Sequence, residues 1–277
     1  MKRAVLILTL LAAIPARGAG INDYYKVENI PAPKGLDVQI GGLTFMPDGR
    51  LAACFHRGEV YTYHPKTKTW KLFADGLHEP LGIVAEDDHT LVVMQRPELT
   101  RLRDTNGDGE ADHYETISDD FGMTGNYHEF AFGPARDKDG NYFVGLNLAS
   151  SGASIRPEIR GEFRHYGITR EQFYKNHRAG SGRMYSAAPY RGWIMKIAPD
   201  GKTTPFASGF RSPNGVNFDA QGRLWATDNQ GDWLGTSKLF HVKENNFHGH
   251  PASLVWTDSW QKGRNPLNVL PSEFDAK

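Results

Sequence analysis

The sequence predicts an all-β fold, and three observations carry that prediction. A strand–turn–strand unit recurs four times, its first two copies starting 40 residues apart at Gly42 and Gly82. No long stretch carries apolar residues at helical spacing, apart from a weak one around Thr169 to Tyr174. Thirty glycines, 16 prolines and 12% aromatic residues suit tight turns and strands better than a helical bundle.

The four copies run from Gly42 to Leu51, Gly82 to Leu91, Phe130 to Tyr142 and Gly215 to Leu224. Each has an Asp-Gly, Asp-Asp or Gln-Gly turn between two apolar runs, built from residues suited to tight turns and positive φ. A second strand pair follows, as in Glu59 to His64 with Thr69 to Ala74, or Trp193 to Ala198 with Thr203 to Ala207. Four strands in about 40 residues is the period of a β-propeller blade. A β-sandwich would not repeat one unit four times. The period breaks over residues 149–190, an expected irregular insertion rich in Arg, Lys and His that projects from the blades with solvated charges. Without the leader and this insertion, roughly 220 residues remain, room for about five blades.

Lys2 and Arg3, the apolar run Ala4 to Ile14, and the small residues Ala16 and Gly18 have the layout of a secretory signal peptide over residues 1–18. The run is too short to span a bilayer, so no transmembrane segment is expected. Residues 19–277 are then the propeller, in a secreted or periplasmic protein. Thirty-two basic residues balance 32 acidic ones, which argues against a nucleic-acid footprint. The only cysteine, Cys54, reads as a small apolar core residue.

Asp104 to Glu115 matches the twelve-residue calcium loop by position. Oxygen ligands are expected from Asp104, Asn106, Asp108, Asp112 and Glu115, and from the backbone carbonyl of Glu110, with Gly109 at the sharp turn. The flanks read as strands, so calcium would staple a hairpin.

Three further segments are too rich in polar, aromatic and glycine residues for ordinary turns: Gly125 to Phe130, Gly209 to Gly215 with Thr227 to Trp233, and Asn245 to Pro251. Loops entering the inner strands of a propeller converge at one mouth, so His128 and Arg211 could share a pocket. His128 suits a general base and Arg211 a bidentate grip on a carboxylate or quinone oxygen. His241, His248 and His250 lack metal-ligand spacing and read as packing or solvated residues.

Gly209-x-Arg211-x-Pro213-x-Gly215, Asp228-Asn-Gln-Gly-Asp232 and Asn246-Phe-His-Gly-His-Pro251 together resemble the soluble glucose/sorbosone dehydrogenase family, and His128 ahead of Phe130-Ala-Phe-Gly-Pro134 fits the same pattern. The wording around Asp228 is most similar to a branch named for membrane-bound dehydrogenases. The resemblance implies a six-bladed propeller that binds pyrroloquinoline quinone (PQQ) and calcium and oxidises sugars or aldose-like aldehydes. It implies an external electron acceptor such as a c-type cytochrome. It makes His128 the base at the anomeric hydroxyl, and Arg211, Asn214, Asn229, Gln230, Gly231 and Asp232 the cofactor site. Asp232 replaces the family's proline, Ser212 replaces an asparagine, and the family's further Lys and Arg ligands would lie beyond Lys277, so a C-terminally truncated ring is expected. Two other readings have similar propellers. One is a calcium-dependent lactonase with Glu129, Asn214 and Asp228 as its cage. The other is a non-catalytic carbohydrate- or protein-binding module.

Overall fold

A computed structural model describes residues 20–150, 160–165, 169–172, 184–232, 235–258, 260 and 264–266. The chain divides into two units, Met1–Lys34 and Gly35–Lys277. In the first, the described part holds one 3-10 turn, Ile21–Asp23, where the Asp23 carboxylate accepts from the Gly20 N–H at 2.7 Å.

The second unit is an all-β propeller. Its first blade is β1 (Ile40–Phe45), β2 (Leu51–Phe55), β3 (Val60–His64) and β4 (Thr69–Ala74). The second is β5 (Ile83–Ala85), β6 (Thr90–Met94), β7 (Leu99–Arg103) and β8 (His113–Ser118). The third is β9 (Ala131–Arg136), β10 (Tyr142–Leu146), β11 (Trp193–Ile197) and β12 (Thr203–Ser208). The fourth has three strands, β13 (Pro213–Phe218), β14 (Leu224–Asp228) and β15 (Lys238–His241).

Every blade is an antiparallel meander in chain order, and each predicted repeat forms its first hairpin. Turn chemistry sets those hairpins. Asp48, Asp137 and Asp219 accept from the N–H groups of Arg50, Asn141 and Arg223, while Gly49, Gly140 and Gly222 take positive φ. The described residues form four blades rather than about five. Length division miscounts because the connections are long, and after β15 the chain turns into a 3-10 helix, Pro251–Trp256, instead of a strand.

The core lies between blades, and strand alternation assigns each side chain to an interface. On β6, Leu91 and Val93 pack with Cys54, Phe73 and Leu102, while Val92 and Met94 pack with Val144 and Met195. Strand β6 is buried on both faces, which explains its unbroken apolar run. Cys54 is buried as expected, and desolvation pushes its thiol up to about 12. At the hub, β1, β5, β9 and β13 surround a cavity of about 460 Å³. A Cβ on Gly42 would lie 2.7 Å from the Gly82 Cα, and one on Gly82 would fall on the Gly133 carbonyl oxygen. Only glycine allows the inner strands this approach.

The insertion leaves the third blade between β10 and β11; of its described charges, Glu162 and Glu171 are exposed as expected, while two arginines also stack on rings. The Arg160 guanidinium lies 4.9 Å over the Phe121 ring, and its Nε donates to the Phe121 carbonyl. Arg164 covers Trp256 at 4.9 Å. A flat guanidinium covers a ring while its N–H groups reach carbonyls, so charge alone does not mark solvent. Residues 1–18 lie outside the described residues. Among the described residues no helix is long and apolar enough to cross a membrane.

Candidate functional site

Meander order fixes which loops share a face. Connections entering inner strands, and those joining second to third strands, lie at one mouth. Connections joining first to second and third to fourth strands lie at the other. Among the described residues, the first mouth therefore gathers 56–59, 75–82, 95–98, 119–130, 147–150, 160–165, 169–172, 184–192, 209–212, 229–232 and 235–237. His128 and Arg211 are both there, as predicted. The calcium-like loop lies on the opposite face.

His128 precedes β9 in a loop pinned from both ends. The buried Asn126 side chain accepts from the His128 N–H at 3.0 Å and from the Ser150 N–H at 3.1 Å, tying this loop to the insertion. His128 Nδ1 lies 3.1 Å from the Leu148 carbonyl oxygen. A carbonyl only accepts, so the proton sits on Nδ1 and Nε2 carries the lone pair. Nε2 makes no hydrogen bond among the described residues, and the ring is half-buried. Burial lowers the His128 pKa below its ordinary value; the Leu148 carbonyl opposes this, and the charges of Arg211 and Arg96 reinforce it. His128 is therefore a neutral base at pH 7.

Arg211 lies at the start of the fourth blade. Its backbone N–H and that of Ser212 donate to the buried Asp228 carboxylate, at 3.2 and 2.7 Å. Its guanidinium makes no ion pair among the described residues and has only a 3.5 Å contact to Ser212 Oγ. Close by, Asp232 accepts from His250 Nε2 at 3.3 Å and from the Met184 N–H at 3.1 Å. Burial would raise Asp232, but His250 and the Met184 N–H outweigh it and hold the carboxyl low, helped by Arg211. His250 is in turn lowered by burial against the pull of Asp232. Asn229 accepts from the Gln230 N–H at 3.0 Å, Gln230 is exposed and Gly231 half-exposed at the same mouth. Asn214 departs from this group: it lines the hub cavity between the inner strands.

The predicted lactonase cage does not form. Glu129 is fully buried, accepting from the Thr124 N–H and hydroxyl, both at 2.7 Å. Asp228 is buried on backbone N–H groups and pairs with Lys238 at 3.5 Å. In the loop before β9, Glu129 is buried on Thr124 while the adjacent His128 stays half-buried. Sequence reasoning missed the nearby counter-charge of Glu129, Arg191, which lies just past the insertion and is also fully buried. Its Nε donates to the Gly122 carbonyl, and its Nη1 to those of Glu129 and Phe130. Burial raises the Glu129 carboxyl against the charge of Arg191 and lowers Arg191 to about 10. His248 fills an aromatic slot, 4.7 Å from the Phe210 ring and 4.9 Å from the Phe240 ring, and burial lowers it to about 4.

On the opposite face, Asp104 turns its oxygens onto the loop backbone, accepting from the N–H groups of Gly107, Asp108 and Gly109. Burial would raise its carboxyl, but His89 and these N–H groups hold it low. Asn106 and Asp108 accept from the N–H groups of Asp108 and Glu110. Asp112 accepts from the Thr105 hydroxyl, the Glu110 carboxylate lies 4.0 Å from Lys71 Nζ, and Glu115 pairs with Arg101 and Arg103 at 3.1 and 3.2 Å. Among the described residues no three His, Cys, Asp or Glu side chains gather to hold a metal. As folded, this loop does not fit the six-oxygen cage its spacing predicts, because its twelfth position is held by arginines. The mouth does fit part of a quinone site: Arg211 offers an unpaired cation to an anionic ring, and His128 a base beside it.

The fold and this mouth define an all-β propeller with a base and an unpaired cation at one end of its channel. The chain belongs to the DUF7133 family, a domain of unknown function whose model matches residues 66–253. No curated protein matches the sequence. Among solved structures, the chain is similar to the PQQ-bound form of aldose sugar dehydrogenase from Streptomyces coelicolor, at 17% identity and a TM-score of 0.51, over 77% of this chain and 62% of that one. It is also similar to an oxidoreductase from Thermus thermophilus described as a glucose dehydrogenase, at 17% identity and a TM-score of 0.53, over 85% and 71%. A third is the PQQ domain of pyranose dehydrogenase from Coprinopsis cinerea, at 13% identity and a TM-score of 0.51, over 77% and 54%. At such identities the shared property is the propeller fold. The chain spans less than two thirds of the Streptomyces enzyme's length.

Proposed function

We propose that this protein is a PQQ-dependent oxidoreductase acting on a sugar or aldose-like aldehyde, with His128 as its general base. One observation carries the reading: His128 Nδ1 is committed to the Leu148 carbonyl, which leaves an unpaired, basic Nε2 beside the unpaired guanidinium of Arg211. A solvated surface histidine has no need of such a fixed tautomer. The PQQ-bound state of the Streptomyces structure supports the cofactor class.

His128 takes the proton of the anomeric hydroxyl as the carbon–oxygen bond gains double-bond character. The quinone, when bound, supplies the two-electron acceptor for the departing hydride. Arg211 would hold an anionic edge of the cofactor, and Asn229, Gln230, Gly231 and Asp232 lie at the same mouth. The Asp232 carboxylate is kept ionised by His250, which suits the calcium that accompanies PQQ. Electrons then pass to an external acceptor, in a secreted or periplasmic setting directed by residues 1–18.

The test is reconstitution of the full chain with PQQ and calcium, dialysis, and a dye-linked assay over aldoses. Retained quinone absorbance with aldose-dependent dye reduction is expected. No quinone retained after dialysis overturns the reading. Recovery of the expressed chain from the extracytoplasmic fraction, shortened by about 18 residues, is the expected signature of the leader.

A further inference from the structure

A second concavity lies against the loop that carries His128. It encloses about 550 Å³, within the size range of small-molecule sites, and is walled by loops of the first three blades. His56, His78, Glu79 and Arg96 form one wall, while Met123, Tyr127 and Phe130 form much of the other. The cofactor side of His128, with Arg211 and Asp232, belongs to the fourth blade. His128 adjoins two residues of this cleft: its ring lies 5.8 Å from Tyr127 and 6.0 Å from Phe130, centroid to centroid.

The polar wall is built, not incidental. Glu79 holds φ at 49°, a left-handed conformation uncommon outside glycine, and its carboxylate is placed 2.6 Å from Arg96 Nε and 3.8 Å from His56. Arg96 covers the Phe130 ring at 4.8 Å and donates to the carbonyls of Asn126 and Tyr127, so this wall is bolted to the His128 loop. Tyr127, 58% exposed, leaves an aromatic face uncovered beside it. An aromatic platform facing neutralised donors and acceptors suits a ligand with an apolar C–H face and a rim of hydroxyls, rather than a charged one.

We infer that this cleft seats a second sugar ring, so that the preferred substrate is a disaccharide or oligosaccharide end rather than a free monosaccharide. This rests on the oxidoreductase reading for the chemistry at His128, and adds the chain length of the substrate. One ring presents its anomeric carbon to His128; the next stacks on Tyr127 and gives its hydroxyls to Glu79 and Arg96.

Binding measured without quinone separates the two claims. Saturation-transfer NMR titrations of the full chain with glucose, cellobiose and maltose are expected to give at least one disaccharide an affinity tenfold or more above glucose. Tyr127→Ala and Glu79→Gln are each expected to bring that preference below about threefold, with retained PQQ absorbance unchanged. Equal affinity for glucose and both disaccharides, or a preference surviving both substitutions, overturns the cleft assignment. Failure to retain PQQ in the unaltered chain overturns only the oxidoreductase reading.

Discussion

The two ends of the propeller carry similar numbers of polar loops and use them in opposite ways. On the hairpin-turn face, carboxylates are spent locally: Asp48, Asp137 and Asp219 cap their own turns, and Asp104 satisfies three N–H groups of its loop. At the mouth, buried groups such as Asn126, Asp228 and Arg191 absorb the backbone's needs, leaving His128 Nε2 without a hydrogen bond and the Arg211 guanidinium without an ion pair among the described residues. A face whose polar groups are all satisfied is scaffold. One that leaves a base and a cation over, along with buried polar atoms such as Asn147 Oδ1 that have no hydrogen-bond partner, is built for a ligand.

The sharpest way to break this contrast is His128→Gln. Quinone-dependent turnover should fall about 10²- to 10⁴-fold, as loss of a general base does, with the melting temperature nearly unchanged. Turnover within a few-fold of the unaltered protein would put His128 back among structural residues.

Arg191→Met tests the framework behind the base. It leaves Glu129 buried without its counter-charge and frees three carbonyls, so urea unfolding should show a loss of about 3–5 kcal/mol. A change under about 1 kcal/mol would mean the pair is not buried as described.

Acid should act on the mouth before the turns. Histidines held below their ordinary pKa are neutral in the fold, while the unfolded chain takes up protons below about 6.5. Stability is therefore full above that value and is lost as pH falls toward about 4, the position of His248. His248→Phe should flatten that acid slope. The acid limb of kcat/KM should likewise lie below 6.5, since His128 is lowered; a limb above 7 would reject it as the base.

The smallest effects belong to the opposite face. Asp137→Ala should cost about 1 kcal/mol and leave turnover unchanged. Replacing calcium with chelator should move the melting temperature little, since Glu115 is held by Arg101 and Arg103. A rise of several degrees in calcium, abolished by Asp108→Ala, would show that the loop opens to ligate after all.

Much of this was legible in the sequence where one short segment determines its own structure. The four hairpins follow from turn residues next to alternating apolar runs, and His128 stands out as a histidine just before an inner strand. What was illegible depends on partners distant in sequence. Twelve-residue spacing cannot reveal that register sets Glu115 opposite Arg101 on the neighbouring strand. Nothing local to Arg191 announces a carboxylate 62 positions earlier, and the stacking of Arg160 on Phe121 and Arg164 on Trp256 leaves no periodic trace. The blade count failed similarly, since length does not distinguish strand from long connection.

The bond from His128 to Leu148 has an evolutionary consequence. Many catalytic histidines are oriented by a carboxylate, which a single codon change can delete. Here the orienting atom is a main-chain oxygen, present whatever residue occupies position 148. Drift in sequence cannot remove it; only a shift of the backbone can. Residue 148 stands at the root of the insertion, so a backbone shift there would move the carbonyl that fixes the His128 tautomer.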